Sequence, residues 1–425
     1  MHKNTKHMFL KDYYKSVFPK SKIKFWLTYG NIEPFELREF SFRTVEDKFS
    51  RYESFENEKE LYDKLLKLIP NRIDVGPIYN KRPFWNSKSK LIPLKKELVI
   101  DIDLTDYDDI RICCAKDKIC GKCWKYMKVA CKIINSSLQE DWNFKNILWA
   151  FSGRRGIHAW VCDKEVLMYD TLKRSSISGF YQLISGNCFG RSRIRINIIN
   201  PFLERSLKII DQVFIPLCVV EQDMLGNERV DRFIDLLPSR GTKDEVKKLF
   251  ESVDKSEDRW NAFVNYFNSK ISSESGVWVD NKYFIEEIKL LFCYPRIDRN
   301  VTTTLNHLLK LPFSIHPATN RVSVPFDPAD VDSFDPLAVP TLWRVIDEKN
   351  NYIDSNNLKL TDKRGNLISY AHKTSLEIPL KVLDKFLVDL YRTQHPERLG
   401  DKFKDGENKV CKEQVDEDED IFADS

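Results

Sequence analysis

The stretch Leu98-Val99-Ile100-Asp101-Ile102-Asp103 most restricts the folds open to this chain. Its apolar and β-branched content reads as a strand running into Leu104, interrupted by two aspartates two residues apart. Side chains at i and i+2 of a strand leave the same face, so the two carboxylates point together. Like charges at that separation repel and do not both ionise cheaply. A divalent cation between them removes the penalty, and hard oxygen ligands suit Mg2+ or Mn2+. The other reading of so short a motif is a strand whose outer face is simply acidic.

Downstream, Cys113, Cys114, Cys120 and Cys123 fall within eleven residues of a chain that has ten cysteines in all. Thiolates grouped this way read as a structural Zn2+ site. Cys131, eight residues past the CxxC, is an alternative ligand. A redox CxxC or buried apolar thiols are the competing readings.

With 425 residues the chain has room for one large or two medium domains and a sizeable core. Charged residues at 31% and hydrophobic ones at 42% are ordinary for a soluble globular protein. The net charge of +4 understates the basicity of the body, because residues 412–425 carry seven Asp or Glu against one Lys. Such an excess fits a footprint for nucleic acid or nucleotides without identifying either. The amino-terminal segment has no long apolar run, so neither a signal peptide nor a membrane span is expected. The cysteine usage points to a reducing compartment.

Apolar spacing predicts helices over 8–18, 59–69, 124–142, 282–293, 300–310 and 379–393. Strands are expected at 38–42, 97–104 and 323–326, and NILWAFS and IHAWVCD flank the turn GRRG as a hairpin. Strand, helix and hairpin in succession argue for an α/β arrangement, a mixed sheet flanked by helices. A mostly helical subdomain is expected over 171–275. The catalytic body takes 1–170 and 276–395, with the cysteine loop 113–123 inserted. The polar interval 347–373 reads as a mobile loop, and 396–425 as a charged, disordered tail.

Ser152, Arg154, Arg155 and His158 surround a Gly-flanked turn, SGRRG, with hydroxyl, guanidinium and imidazole donors. Arginine forks match phosphate oxygens, so this is either a phosphate-binding turn or a solvated basic hairpin. Arg191, Arg193 and Arg195 alternate in a basic run that could track a template backbone or form a solvated face.

DIDLTDYDDIR, the following CC and CxxCW, SGRRGIHAWVCD at 152–163 and HPATNRVSVPFDP occur in that order between about Tyr13 and about Pro336. Together they resemble the catalytic small subunit of the archaeal and eukaryotic DNA primases, most closely the eukaryotic type. The resemblance implies the archaeo-eukaryotic primase fold and a DNA-dependent RNA polymerase that makes short RNA primers on single-stranded DNA from ribonucleoside triphosphates. It implies that Asp298, in RIDRNV, completes a metal-binding triad with Asp101 and Asp103; otherwise Asp298 reads as a helix-cap aspartate. It assigns Ser152, Arg154, Arg155 and His158, with Lys310 and His316, to the triphosphate. Supporting roles fall to Glu39, Arg51 and Asp74, the last near the ribose. Catalytic Mg2+ or Mn2+ and structural Zn2+ follow as cofactors. A large subunit with an iron–sulfur cluster, the DNA polymerase α complex and a nuclear location follow as partners and place. The rival readings are a primase-polymerase of repair or damage bypass and a catalytically silent, zinc-stabilised nucleic-acid scaffold.

Overall fold

A computed structural model describes residues 3–84, 90–183, 194–273, 276–362 and 367–394. Arg191, Arg193 and the tail 396–425 lie outside the described residues. The chain divides into two compact units, one from 1–101, 144–176 and 299 onward, the other from 102–143 and 177–298.

The first unit holds two sheets. In one, β1 (Arg38–Arg43) pairs antiparallel with β2 (Phe49–Glu53) and with β3 (Arg72–Tyr79). The far edge of β3 is shared by β4 (Pro93–Lys95) and by the two-residue β8 (Leu309–Lys310). The other sheet runs β5 (Leu98–Asp103, its last two residues counted in the second unit), β7 (Gly156–Val161), β6 (Ile147–Phe151), β9 (Val324–Phe326). The α/β class expected from the sequence holds, with the strands divided between two sheets.

Local chemistry sets the boundaries. Helix Glu58–Leu68 starts where the Asn57 side chain accepts from the Glu60 amide at 3.0 Å, capping an orphan donor. It ends on Ile69 in the left-handed region, before Pro70. The helix Glu377–Gln394 packs on β9 and β6, and its Phe386 meets Trp26, which in turn stands edge-on to Trp160 at 5.2 Å. The Trp26 indole donates to Cys162 Sγ at 3.4 Å, so its polar atom is satisfied inside the core.

The same unit holds a buried ion pair. Arg38 donates through both terminal nitrogens to Glu97, each at 2.9 Å, and the Tyr29 hydroxyl adds a third bond at 2.7 Å. Neither member of the pair is exposed, and Glu97 immediately precedes β5. The β5 backbone therefore enters the sheet from a fixed anchor, reinforced by Arg174 donating to the Glu97 carbonyl at 2.9 Å.

The second unit is helical. Along Gly121–Glu140, Trp124, Met127, Cys131, Ile134 and Leu138 all face inward, as their spacing predicts. A second aromatic cluster gathers Phe233, Trp260, Phe263, Trp278 and Phe284. Two expectations fail locally. Residues 300–310 form only the short helix Arg299–Thr303, and the chain then turns to supply β8. The supposed loop after Asp347 is helical to Ser355, because Leu342, Val345, Ile346 and the aliphatic part of Lys349 make one buried stripe. The Lys349 ammonium bonds both oxygens of Asp12, at 2.6 and 2.7 Å.

Candidate active site

The aspartates of β5 alternate with Ile100 and Ile102, which are fully buried, while Asp101 and Asp103 are partly exposed. Both carboxylates thus leave one face of the strand. Asp103 is oriented by Thr105, whose amide and hydroxyl donate to Oδ1 at 2.9 and 2.8 Å. On β7, His158 brings Nε2 to 3.4 Å from Asp101 Oδ1, with its side chain only 8% exposed.

The hairpin β6–β7 is closed by the turn at 152–155. The Ser152 amide donates to the Gly156 carbonyl at 2.9 Å, and the Gly156 amide returns a bond to Ser152 Oγ at 3.1 Å. Gly153 adopts φ +87, which only glycine holds without strain. A Cβ there would also stand 3.0 Å from His316 Cβ and 3.3 Å from the Arg321 carbonyl. The turn is therefore pressed against the segment that carries His316, and Thr319 Oγ1 secures it by donating to the Gly153 carbonyl at 2.6 Å.

Lys310 joins the two sheets. Its backbone lies opposite Asp74 in the β3–β8 ladder, and its Nζ donates to the Ser152 carbonyl at 2.8 Å. Burial lowers its ammonium to about 7, and the charges of Arg72 and Arg154 push the same way against the opposing pull of Asp74 and Asp101. Burial drives His316 still lower, to about 2, aided by Lys310, Arg154, Arg72 and Arg155. His316 is thus a neutral imidazole. Its Nδ1 accepts from the Ala318 amide at 3.2 Å, leaving the proton on Nε2. Burial first, and then the surrounding positive charge, depress two basic groups of this corner, an electrostatic setting that an anion relieves.

Of the supporting candidates, Glu39 and Arg51 pair with each other, while Asp74 stands on the Lys310 side. Glu39 on β1 is fully buried and accepts from Arg51 Nε at 2.7 Å and from the Tyr79 hydroxyl at 2.9 Å. Arg51 also donates to the Asn306 carbonyl at 2.6 Å, in the loop leading to β8. Asp74 accepts from Arg72 Nε through both oxygens, at 2.7 and 2.9 Å. The sequence reading missed Arg72. The available signal was the alternation Arg72-Ile73-Asp74, which places both charges on one strand face.

Asp298 lies in the second unit, after helix Phe284–Cys293 and directly before Arg299–Thr303. Its loop is anchored two residues earlier by Arg296, which pairs with Asp109, stacks 5.0 Å over the Tyr107 ring and donates its amide to the Tyr107 hydroxyl at 3.0 Å. Asp108 pairs with Arg111. Asp108 and Asp109 hold the loop that follows β5.

Also in the second unit, the Sγ atoms of Cys113, Cys114, Cys120 and Cys123 all lie within 4.8 Å of one another. Cys120 and Cys123 are 3.9 Å apart, close to the edge of about 3.8 Å expected for sulfurs around a tetrahedral Zn2+ at about 2.3 Å. Cys113 accepts from Gln222 Nε2 at 3.4 Å and Cys123 from Arg111 Nη1 at 3.6 Å, donors that suit thiolates. Hydrogen bonding from the Cys123 amide and from Cys113 and Cys114 outweighs burial and lowers the Cys120 thiol to about 7, whereas burial raises the Cys114 thiol and pushes Cys123 up to about 12. Cys131, the alternative ligand, is buried further along helix Gly121–Glu140 and stands outside this group. The four side chains fit a metal ion.

The family profile described as DNA primase small subunit matches residues 100–328. The DNA primase small subunit of Schizosaccharomyces pombe is 39% identical over 360 residues, covering 81% of this chain and 78% of that protein. The Drosophila melanogaster protein of the same description is 35% identical over 398 residues, covering 90% and 91%. That of Saccharomyces cerevisiae is 32% identical over 360 residues, covering 82% and 86%. The polymerase domain of Mycobacterium tuberculosis Ligase D in complex with DNA aligns at a TM-score of 0.32 and 12% identity, covering 83% of this chain and 95% of that one. A likeness that loose bears no weight. The chain belongs to the DNA primase small subunit family.

Proposed function

We propose that this DNA primase catalytic subunit joins ribonucleoside triphosphates into short RNA primers on single-stranded DNA. In this reading it works in the nucleus with a large iron–sulfur subunit and the DNA polymerase α complex. The observation that carries it is Lys310, buried between two sheets, bonded to the carbonyl of the SGRRG turn and crowded by Arg72 and Arg154.

Asp101, Asp103 and Asp298 would hold Mg2+ or Mn2+, which when bound supplies Lewis acidity toward the primer hydroxyl and the α-phosphate. Lys310, Arg154 and Arg155 meet the negative charge of the β- and γ-phosphates. A triphosphate there favours the protonated Lys310 that burial disfavours. His316 contributes a neutral Nε2–H donor rather than a charge. Gly153 lets the turn's backbone approach His316 closely, and His158 fixes the Asp101 carboxylate from the neighbouring strand. Asp74, tied to Arg72, stands beside Lys310 as the group for the ribose. Cys113, Cys114, Cys120 and Cys123 would hold Zn2+ as a structural brace.

The test is template-directed incorporation with ribo- and deoxynucleotides compared, using wild type and Asp101→Asn. Primer synthesis from ribonucleotides that disappears in the folded variant is expected. Preference for deoxynucleotides would favour a repair primase-polymerase. No incorporation by wild type, alone or with the large subunit, would leave a nucleic-acid scaffold.

A further inference from the structure

The chemistry above uses neither the acidic segment 416–420 nor a cavity of about 880 Å³ where helix Glu377–Gln394 packs beside residues 352–358 and 368–373. The cavity floor is apolar, formed by Leu358, Ile368 and Val388 with the rings of Tyr352 and Tyr370. Its rim is cationic, formed by Lys373, Lys381, Lys385 and Arg392. Three of these cations and Val388 recur along the helix at 381, 385, 388 and 392, a spacing that puts them on one face. Two carboxylates offset the rim only in part. Asp384 is paired at 2.8 Å with the buried Lys22, and Asp389 stands 3.7 Å from Arg392. Lys381 and Lys385 are 67% and 71% exposed and pair with Glu377 and Asp327, surface contacts that exchange at little cost.

Such a cavity suits an acidic peptide with large apolar side chains, more than a bare polyanion, which has nothing to set on the floor. The chain carries such a segment in Asp416-Glu417-Asp418-Glu419-Asp420, followed by Ile421 and Phe422. We propose that this segment docks in the cavity of its own chain, with Ile421 and Phe422 over the apolar floor and the five carboxylates against the lysine rim. Reach is no obstacle. From Gln394 back to Lys381 is about 20 Å of helix. The connector 395–415 spans up to about 70 Å extended and roughly 25 Å on average if flexible. Tethering at that length gives an effective concentration on the order of millimolar, which favours the same chain over a second copy.

Zero-length carbodiimide cross-linking of the 425-residue chain, read by mass spectrometry, tests this. Lys381 and Lys385 should link to residues 416–420 with a yield that does not change on dilution. The double substitution Ile421→Ser with Phe422→Ser should lower that yield about tenfold, because the apolar anchor is gone while every carboxylate remains. Extension of a pre-formed primer should be unaffected. Links spread evenly over surface lysines, or an undiminished yield in the double variant, would overturn the proposal. A yield that falls on dilution would assign the cavity to a second copy. Lys381 and Lys385 that react freely with an amine reagent until an oligonucleotide is added would assign it to nucleic acid.

Discussion

Replacing Lys310 with methionine tests the electrostatics of the nucleotide corner through stability as well as binding. The lysine titrates near 10.5 in the unfolded chain and near 7 when folded. At about 1.36 kcal/mol per decade, holding it folded at pH 7 costs on the order of 4 kcal/mol. Methionine fills similar space without that cost, but it strands the Ser152 carbonyl, a loss of about 1–3 kcal/mol. At pH 7 the variant should therefore be the more stable protein, by roughly 1–3 kcal/mol. The sign of the pH dependence follows from proton counts. Between pH 7 and 10.5 the unfolded wild-type chain keeps the proton and the folded one does not, so wild-type stability rises with pH. By pH 9 the remaining cost is about 2 kcal/mol, so the gap between variant and wild type should close by about 2 kcal/mol. Lys96, which burial also lowers to about 7, is present in both proteins and cancels. Denaturant unfolding at pH 7 and 9 measures the gap, and nucleotide titration should show affinity reduced by about ten- to hundredfold. A gap that does not move with pH would refute the account of Lys310.

Three further outcomes are expected. Cys120→Ser should release bound zinc, seen by metal analysis, and lower the unfolding midpoint, since a structural metal contributes its binding energy to the fold; unchanged zinc content would assign the ligand role elsewhere. Gly153→Ala should weaken nucleotide binding and cost about 1–3 kcal/mol of stability, because φ +87 and the 3.0 Å approach to His316 both resist a side chain; wild-type values in both assays would count against the close packing of the turn. Glu97→Gln should cost about 3–5 kcal/mol by leaving Arg38 charged and buried, and a denaturation midpoint equal to wild type would mean the pair is not the anchor of β5.

What could be read beforehand was whatever is local. The i, i+2 spacing of Asp101 and Asp103, the glycine-flanked turn and the cysteine spacing each express their chemistry within a dozen residues. The alternation of Arg72 with Asp74 is local, but its meaning depends on β8 laying Lys310 opposite Asp74, a register between segments more than 230 residues apart. The Arg38–Glu97 pair is hidden for the same reason, since nothing near either residue announces the other. From Asp347 onward, helix Leu342–Ser355 reads as loop because its buried stripe is narrow there and includes Lys349, a residue type that reads as solvent-facing. Lys310, His316 and Asp298 were reachable only through the family resemblance, since single charged residues carry no pattern of their own.

The interleaved chain order has a consequence for biosynthesis. The helical unit is complete in sequence at Asp298, whereas both sheets of the other unit wait for strands that come later. After β7 ends at Val161, β6 lacks its neighbour β9 until Phe326 has been made, and β3 lacks β8 until Lys310. At roughly 5–20 residues per second, that leaves an unpaired strand edge on the nascent chain for about 10–30 s. During translation, then, the unit that will carry the nucleotide corner is the aggregation-prone one, and the helical unit can fold while it waits.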